Sequence, residues 1–289
     1  MKNTSAMPVA LTIAGFDPSG GAGVIADVKT FTAFGCFATA AVTSLTFQNT
    51  QGVFGATHRT AAEVRAQVLP VVEDFPVAGV KTGMLPTREV ISEVARLLRE
   101  TPLREAGAIV DPVVRSTSGF DLIDDDALAA LRAELLPLAA LVTPNIPEAE
   151  RLTGLRIRTE EDMRRAARAI REMGARAVLV KGGHLSAGDA VDLLDAAGDE
   201  QIFRAPRIET NATHGTGCTL AAAIAACLAR GMNLSQATAT AKRFVTEAIR
   251  RSPRLGRGFS PVNHNLRVRF DEQGGIVIEG NDEQRNDAR

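Results

Sequence analysis

Short apolar runs alternate with amphipathic stretches along most of this chain, and the alternation predicts its elements. Val9–Ala14 is a short apolar run closed by Gly15 and reads as a buried strand. Asp17-Pro-Ser-Gly-Gly-Ala-Gly23 reads as a turn, and Val24–Phe34 as a helix ended by Gly35. Phe37–Phe47, rich in Ala, Val and Thr, predicts a second strand, and Val53–His58 a third. Ala61–Val72 is helical, Val77–Lys81 a strand and Thr87–Arg99 a helix. Ala108-Ile-Val-Asp111 predicts a strand ending in an acid. Asp124–Leu135 follows as a helix, and Leu141-Val-Thr143 as a strand stopped by Pro144.

The same rhythm continues in the second half. Pro147 opens a helix reaching Leu152, since proline is favoured in a first turn. Thr159-Glu-Glu-Asp162 has the form of a capped start for a helix reaching Met173. Ala177–Lys181 predicts a strand, and Val191–Leu194 with Gln201–Ala205 a polar-edged hairpin. Helices after Gly217 and over Ser235–Arg250 complete the body. Leu266–Phe270 and Ile276–Glu279 predict an exposed hairpin, and Asn281–Arg289 a disordered tail. No internal repeat interrupts the pattern, so residues 8–264 read as one domain and 265–289 as an extension.

Strands alternating with helices predict an α/β fold with a doubly wound, mostly parallel sheet. Such sheets bind ligands at the carboxyl ends of their strands. Gly15, Lys81, Asp111, Asn145 and Lys181 fall there.

Composition narrows the function. Net charge is −1, which makes no electrostatic case for nucleic acid or an anionic membrane. No apolar run approaches the roughly 20 residues of a membrane span. The first residues lack the apolar stretch of a signal peptide. Three cysteines make no disulfide framework, and zinc-type Cys/His spacing is absent. A cytoplasmic protein is the expectation.

The segment with the most chemistry is Thr213-His-Gly-Thr-Gly-Cys218, which opens straight into an alanine-rich helix. Gly215 and Gly217 remove the Cβ atoms that would hold a ligand off the backbone. The first helical turn offers unpaired amides and partial positive charge, a setting for phosphate. Gly215, Thr216, Gly217 and Cys218 are therefore the catalytic candidates, with the helix N-terminus expected to favour a Cys218 thiolate. A Gly-x-Gly turn before a helix is also common, and cysteine is often buried packing, as Cys227 in the same helix is expected to be.

Eight segments in one order resemble a known family. They are Ala14-Gly-Phe-Asp-Pro-Ser-Gly-Gly-Ala-Gly23, Ala26-Asp-Val-Lys-Thr30, Gln48-Asn-Thr50, Lys81-Thr-Gly-Met-Leu85, Asp111-Pro-Val113, Thr143-Pro-Asn145 with Glu148, Lys181-Gly-Gly-His184 and Thr213–Cys218. Together they resemble the hydroxymethylpyrimidine/phosphomethylpyrimidine kinases of thiamine biosynthesis, within the ribokinase-like superfamily. The resemblance implies two ATP-dependent phosphorylations, of a hydroxymethyl pyrimidine and then of its monophosphate. It places Asp27, Gln48, Met84 and Val113 around the pyrimidine, and Cys218 at the substrate proton. It places Lys181, Asn145 and Asp111 at ATP, and Glu148 at Mg2+ through water. It also implies a homodimer. Taken singly, each residue has a plain structural reading: Asp27 a solvated helix position, Glu148 a first-turn carboxylate, Met84 core, His184 and His214 structural.

The chain departs from the family in three places. Phe16 stands where members carry a small hydroxyl residue, and Thr117 where they carry lysine. Arg115 is the nearby charge that would hold the extra phosphate of the monophosphate. Residues 265–289 extend past the family's usual end. The rival readings are a pyridoxal kinase of the same fold, whose substrate is also a flat hydroxymethyl heteroaromatic, and a non-catalytic binding protein built on it.

Overall fold

A computed structural model of the chain describes residues 7–115, 122–183, 189–271 and 276–280. The first half runs β1 (Val9–Phe16), α1 (Gly23–Ala33), β2 (Phe37–Asn49), β3 (Gly52–His58), α2 (Ala61–Asp74), β4 (Val77–Thr82), α3 (Arg88–Glu100), α4 (Leu103–Ala106), β5 (Ala108–Val110) and α5 (Asp125–Ala130). The second runs β6 (Ala139–Val142), α6 (Ile146–Thr153), α7 (Glu160–Glu172), β7 (Ala177–Lys181), β8 (Ala190–Ala196), β9 (Asp199–Ala205), α8 (Thr216–Ala229), α9 (Leu234–Arg250), β10 (Leu266–Phe270) and β11 (Ile276–Gly280).

One sheet carries the order β3-β2-β1-β4-β5-β6-β7-β8-β9. Its centre, β2 through β7, is parallel, while β3, β8 and β9 join antiparallel. The chain grows outward from β1 to β2 on one side and from β4 onward on the other. The order therefore reverses between β1 and β4, and a crevice opens at their carboxyl ends. This is the α/β, doubly wound, mostly parallel sheet that the sequence predicts.

Alternating strand residues feed two cores. Leu11, Ile13, Val80, Val110 and Val142 face α2, α3, α6 and α7, meeting Val64, Val94, Ala149 and Met163. Ala10, Ile109, Leu141 and Leu179 face the other way onto α1, α8 and α9, meeting Phe31, Ile224 and Phe244. A period of two puts successive side chains on opposite faces, so strands with both faces covered read as continuous apolar runs. The helices on the first face begin with side-chain caps, Thr60 with Glu63 on α2 and Thr159 with Asp162 on α7.

Three elements differ from expectation. β1 runs on through Gly15 to Phe16, because a register shift after Ala14 lets it keep pairing with β2. α5 widens into a π turn at Leu131–Leu135 and tightens over Leu136–Leu138, where the proline that stops it sits. The β10–β11 hairpin is not exposed: Leu266, Val268 and Ile276 are buried, and Arg230 stands 4.2 Å over the Phe270 ring. Its alternating pattern was legible, but the partner for its apolar face is distant in sequence. Thr117, His184 and the 281–289 tail lie outside the described residues.

Candidate active site

The first turn of α8 organises the site. Gly215 is its N-cap at φ 81°, a conformation that disfavours side chains, and a Cβ there would stand 1.8 Å from the Gly21 carbonyl. Glycine thus lets two loops touch, and the helix start faces the crevice, with the Thr216 amide turned to the Thr213 carbonyl at 3.3 Å. Thr216 donates its hydroxyl to the Thr213 carbonyl at 3.0 Å, which holds the turn shut. A Cβ on Gly217 would stand 3.1 Å from Lys181 Nζ and 3.7 Å from Asp111 Oδ2, so a carboxylate and an ammonium lie against the helix start.

Lys181, at the end of β7, donates to Asp111 Oδ1 at 3.0 Å and stands 4.0 Å from Glu148 Oε2. Thr143 donates to the same Asp111 oxygen at 3.1 Å. Asn145 and Glu148 cap α6 reciprocally: the Asn145 amide nitrogen donates to Glu148 Oε2 at 2.7 Å, and the Glu148 amide nitrogen to Asn145 Oδ1 at 2.9 Å. With Glu148 ionised, the two carboxylates and one ammonium would sum to a net negative charge in a largely buried place. Burial lifts the Glu148 carboxyl well above its ordinary range; Lys181 pulls it down and Asp111 pushes it up again. Added positive charge would relieve this. Among the described residues no cage of three or more His, Cys, Asp or Glu side chains is gathered for a metal. The donor set suits Mg2+, which keeps most of its waters and takes few protein carboxylates.

A second ion pair lies deeper. Asp27 Oδ2 accepts from Lys81 Nζ at 2.8 Å and from the Thr12 hydroxyl at 2.6 Å, with both charged side chains wholly sealed from solvent. Asp27 Oδ1 has no hydrogen-bond partner among the described residues. Burial raises the Asp27 carboxyl, with Lys81 and Thr12 opposing. The same burial works against the Lys81 charge, but Asp27, Cys218 and Asp111 together reverse it, so the ammonium holds its proton above the ordinary lysine range.

Cys218 sits within electrostatic reach of this pair. Burial pushes its thiol up to about 11; Lys81 and the Gly23 amide favour the thiolate, while Asp27 and Asp111 oppose it. The expected resting thiolate is therefore corrected: in a partly buried first turn that also faces Asp27 and Asp111, desolvation and these carboxylates outweigh the helix end. Cys227 is buried packing, as expected.

Gln48 lies half-buried in β2 beside a register shift, near enough to Asp17 to help hold its carboxyl in the charged form. Asp17 accepts from Ser19, Gly21 and Ala22, and pairs with His214 Nε2 at 2.8 Å, tying the first glycine loop to the α8 loop. Burial alone would raise the Asp17 carboxyl, but His214, Ser19 and Gln48 reverse this and hold it at about 2. A folded value below the ordinary one contributes stability that is present above about pH 4 and lost as pH falls toward 2. With residual screening allowed for, that contribution is about 1–2 kcal/mol. Urea unfolding should show Asp17→Asn weaker than the parent at about pH 6, with the gap closing toward pH 2.5. A gap constant over that range would assign the loss to packing.

Met84 is buried beside Gly15, Val113 is half-buried after β5, and Arg115 is exposed at the end of the described segment. Of the expected ring contacts, Gln48, Met84 and Val113 fall around the carboxyl ends of β1, β2, β4 and β5. Asp27 instead turns inward to Lys81. Thr12 was missed as a site residue, and Lys81 was placed at the ligand end of the sheet without its pairing to Asp27. The available signal was a lysine and an aspartate set inside apolar runs, where an unpaired charge is untenable.

Comparison with known proteins bears on the chemistry. A family model described as phosphomethylpyrimidine kinase matches residues 17–263. The hydroxymethylpyrimidine/phosphomethylpyrimidine kinase of Streptomyces coelicolor is 48% identical over 257 residues, covering 89% of this chain and 94% of that protein. The thiamine biosynthesis bifunctional protein ThiED of Geobacter sulfurreducens is 52% identical over 256 residues, covering 89% of this chain and 52% of its own length, so this chain spans about half of it. The crystal structure of Bacillus subtilis pyridoxal kinase in an ADP complex superposes with a TM-score of 0.82 at 35% identity, over 90% of this chain and 98% of that one.

Proposed function

The chain belongs to the phosphomethylpyrimidine kinase family, and from that premise we propose that it transfers phosphate from ATP to 4-amino-5-hydroxymethyl-2-methylpyrimidine and then to the resulting monophosphate. The observation that carries this reading is the bare first turn of α8, set against Lys181 and Asp111 at the carboxyl end of the sheet. Phosphoryl transfer asks for positioning and charge stabilisation above all. The Gly215–Cys218 amides and the Lys181 ammonium supply positive charge where the transferred group develops negative charge. Cys218, once its own proton has been lost to solvent, takes the hydroxymethyl proton on its thiolate as the oxygen attacks. Mg2+, held near Glu148 through water with Asn145 beside it, would supply the charge that neutralises the phosphates. Gln48, with Met84 and Val113 on the ring faces, orients the pyrimidine. Asp27 acts from behind, through Lys81.

The pyridoxal kinase likeness favours a second reading, pyridoxal as the acceptor. A coupled assay of kcat/KM on the pyrimidine alcohol, its monophosphate and pyridoxal separates the two. Pyrimidine turnover well above pyridoxal turnover supports the first reading, and the reverse order overturns it. No ATP consumption with any of the three leaves the binding-protein alternative.

Arg115 is assigned to the extra phosphate of the second step. Arg115→Ala should lower second-step kcat/KM at least about tenfold more than the first, the value of one charge-assisted contact. Equal losses in both steps would remove the assignment. The homodimer belongs to the same proposal; exposed Leu45, Phe47 and Phe54 on β2 and β3 are the apolar face available for it. Among the described residues no helix is long and apolar enough to cross a membrane, and cytoplasmic placement is part of the proposal.

A further inference from the structure

We propose that Lys242 is a positioning residue for Lys181: by occupying the Asp192 carboxylate, it leaves the Lys181 ammonium at the crevice. This rests on the reading that Lys181 meets the phosphates of ATP.

The register of the sheet sets the problem. Lys181 on β7 and Asp192 on β8 are direct partners in the antiparallel ladder. Directly opposed residues share a face of the sheet, with Cβ atoms about 5 Å apart, well within a lysine's reach. That face is the one covered by α8 and α9, since Leu179 and Leu194, next in the alternation of each strand, pack there. An ammonium and a carboxylate so placed would ordinarily pair. Lys181 instead donates to Asp111 Oδ1 at 3.0 Å, beside Gly217 in the first turn of α8.

Asp192 does not compete because both of its oxygens are taken. Lys242, on α9, donates to Asp192 Oδ2 at 2.6 Å, and the Gly182 amide donates to Oδ1 at 3.2 Å. Both charged side chains are only 11% exposed, so water is a poor substitute for either partner. A nearly buried pair of this kind adds little stability over an apolar replacement. Its consequence lies across the strand. Without Lys242, Asp192 would be a nearly buried carboxylate in need of a cation, and the register places Lys181 beside it. Lys181 would then turn from Asp111 and the α8 turn toward β8, and the crevice would lose its ammonium.

The test compares the full chain carrying Lys242→Met with the double variant Lys242→Met, Asp192→Asn. Ligand-free crystal structures read the lysine directly. In Lys242→Met, Lys181 Nζ should leave Asp111 for hydrogen-bond distance of Asp192. In the double variant no carboxylate stands at 192, and Lys181 should stay on Asp111. Calorimetric titration with Mg2+ and a non-hydrolysable, methylene-bridged ATP analogue reads the consequence. Its Kd should rise at least about tenfold in Lys242→Met, the value of one charge-assisted contact. In the double variant it should return to within about threefold of the parent, a coupling that independent losses could not give. Lys181 remaining on Asp111 in Lys242→Met overturns the proposal. So does a double variant that binds as weakly as Lys242→Met, the result expected of lost packing alone. If Lys242→Met does not fold, Asp192→Asn decides: it keeps an acceptor for the Gly182 amide and should hold the analogue within about threefold of the parent, and a tenfold loss overturns the proposal. The crystal structures contain no nucleotide, so a parent that fails to bind the analogue would sink the ATP reading while the placement of Lys181 is still judged.

Discussion

Cys218→Ala should lower kcat by roughly 10²–10⁴, the range for loss of a positioned proton acceptor, while the KM for ATP stays near the parent value. The sulfur occupies the first turn of α8, one residue from Gly217, whose missing side chain lets Lys181 and Asp111 approach. Removing the sulfur leaves those phosphate-facing groups in place, so nucleotide binding should survive. The thiol rests at about 11, so at neutral pH only a small fraction, having lost its proton to solvent, is thiolate, and that fraction is the form able to take the hydroxymethyl proton. Activity should therefore climb with pH through the neutral range, and that slope should vanish in Cys218→Ala. A kcat within about twofold of the parent would mean that the amides and cations suffice without the sulfur.

Asp27→Ala should destabilise the fold by about 3–5 kcal/mol, because it strands the Lys81 ammonium in a place with no water. Both side chains are fully sealed, and the Thr12 hydroxyl would lose its acceptor as well. The decisive comparison is the double variant Asp27→Leu with Lys81→Met. Apolar replacement of a whole buried pair is often neutral or better, so the double variant should unfold closer to the parent than Asp27→Ala does. Denaturant midpoints measure all three. Additive losses would show that the two residues are not coupled through the core.

These effects mark where sequence reading stopped. The strand and helix order was legible because Ala10 and Leu11, or Ile109 and Val110, must both be apolar when each strand face meets its own helix layer. The carboxyl-end residues were legible by the same logic: Asp111, Asn145 and Lys181 each close a strand, and Lys181 meets Asp111. The inward turn of Asp27 was not, because a helix residue flanked by Ile25 and Val28 reads equally as solvated until the face it shares with Val24 and Phe31 is known to be buried. The Cys218 thiol was misread because position at a helix N-terminus is visible in sequence, whereas the depth of burial that opposes it depends on α1 and α8 packing together. The bond from Asp17 to His214 spans 197 positions, and no local pattern announces it.

Whether this crevice moves the terminal phosphate of ATP onto a pyrimidine alcohol is open to direct observation. Phosphorus NMR of the chain with ATP, Mg2+ and 4-amino-5-hydroxymethyl-2-methylpyrimidine tests it most directly. The expected products are ADP and a pyrimidine phosphate monoester that gives way to the diphosphate. Inorganic phosphate as the sole new product, or no reaction with the pyrimidine while pyridoxal is phosphorylated, would contradict it.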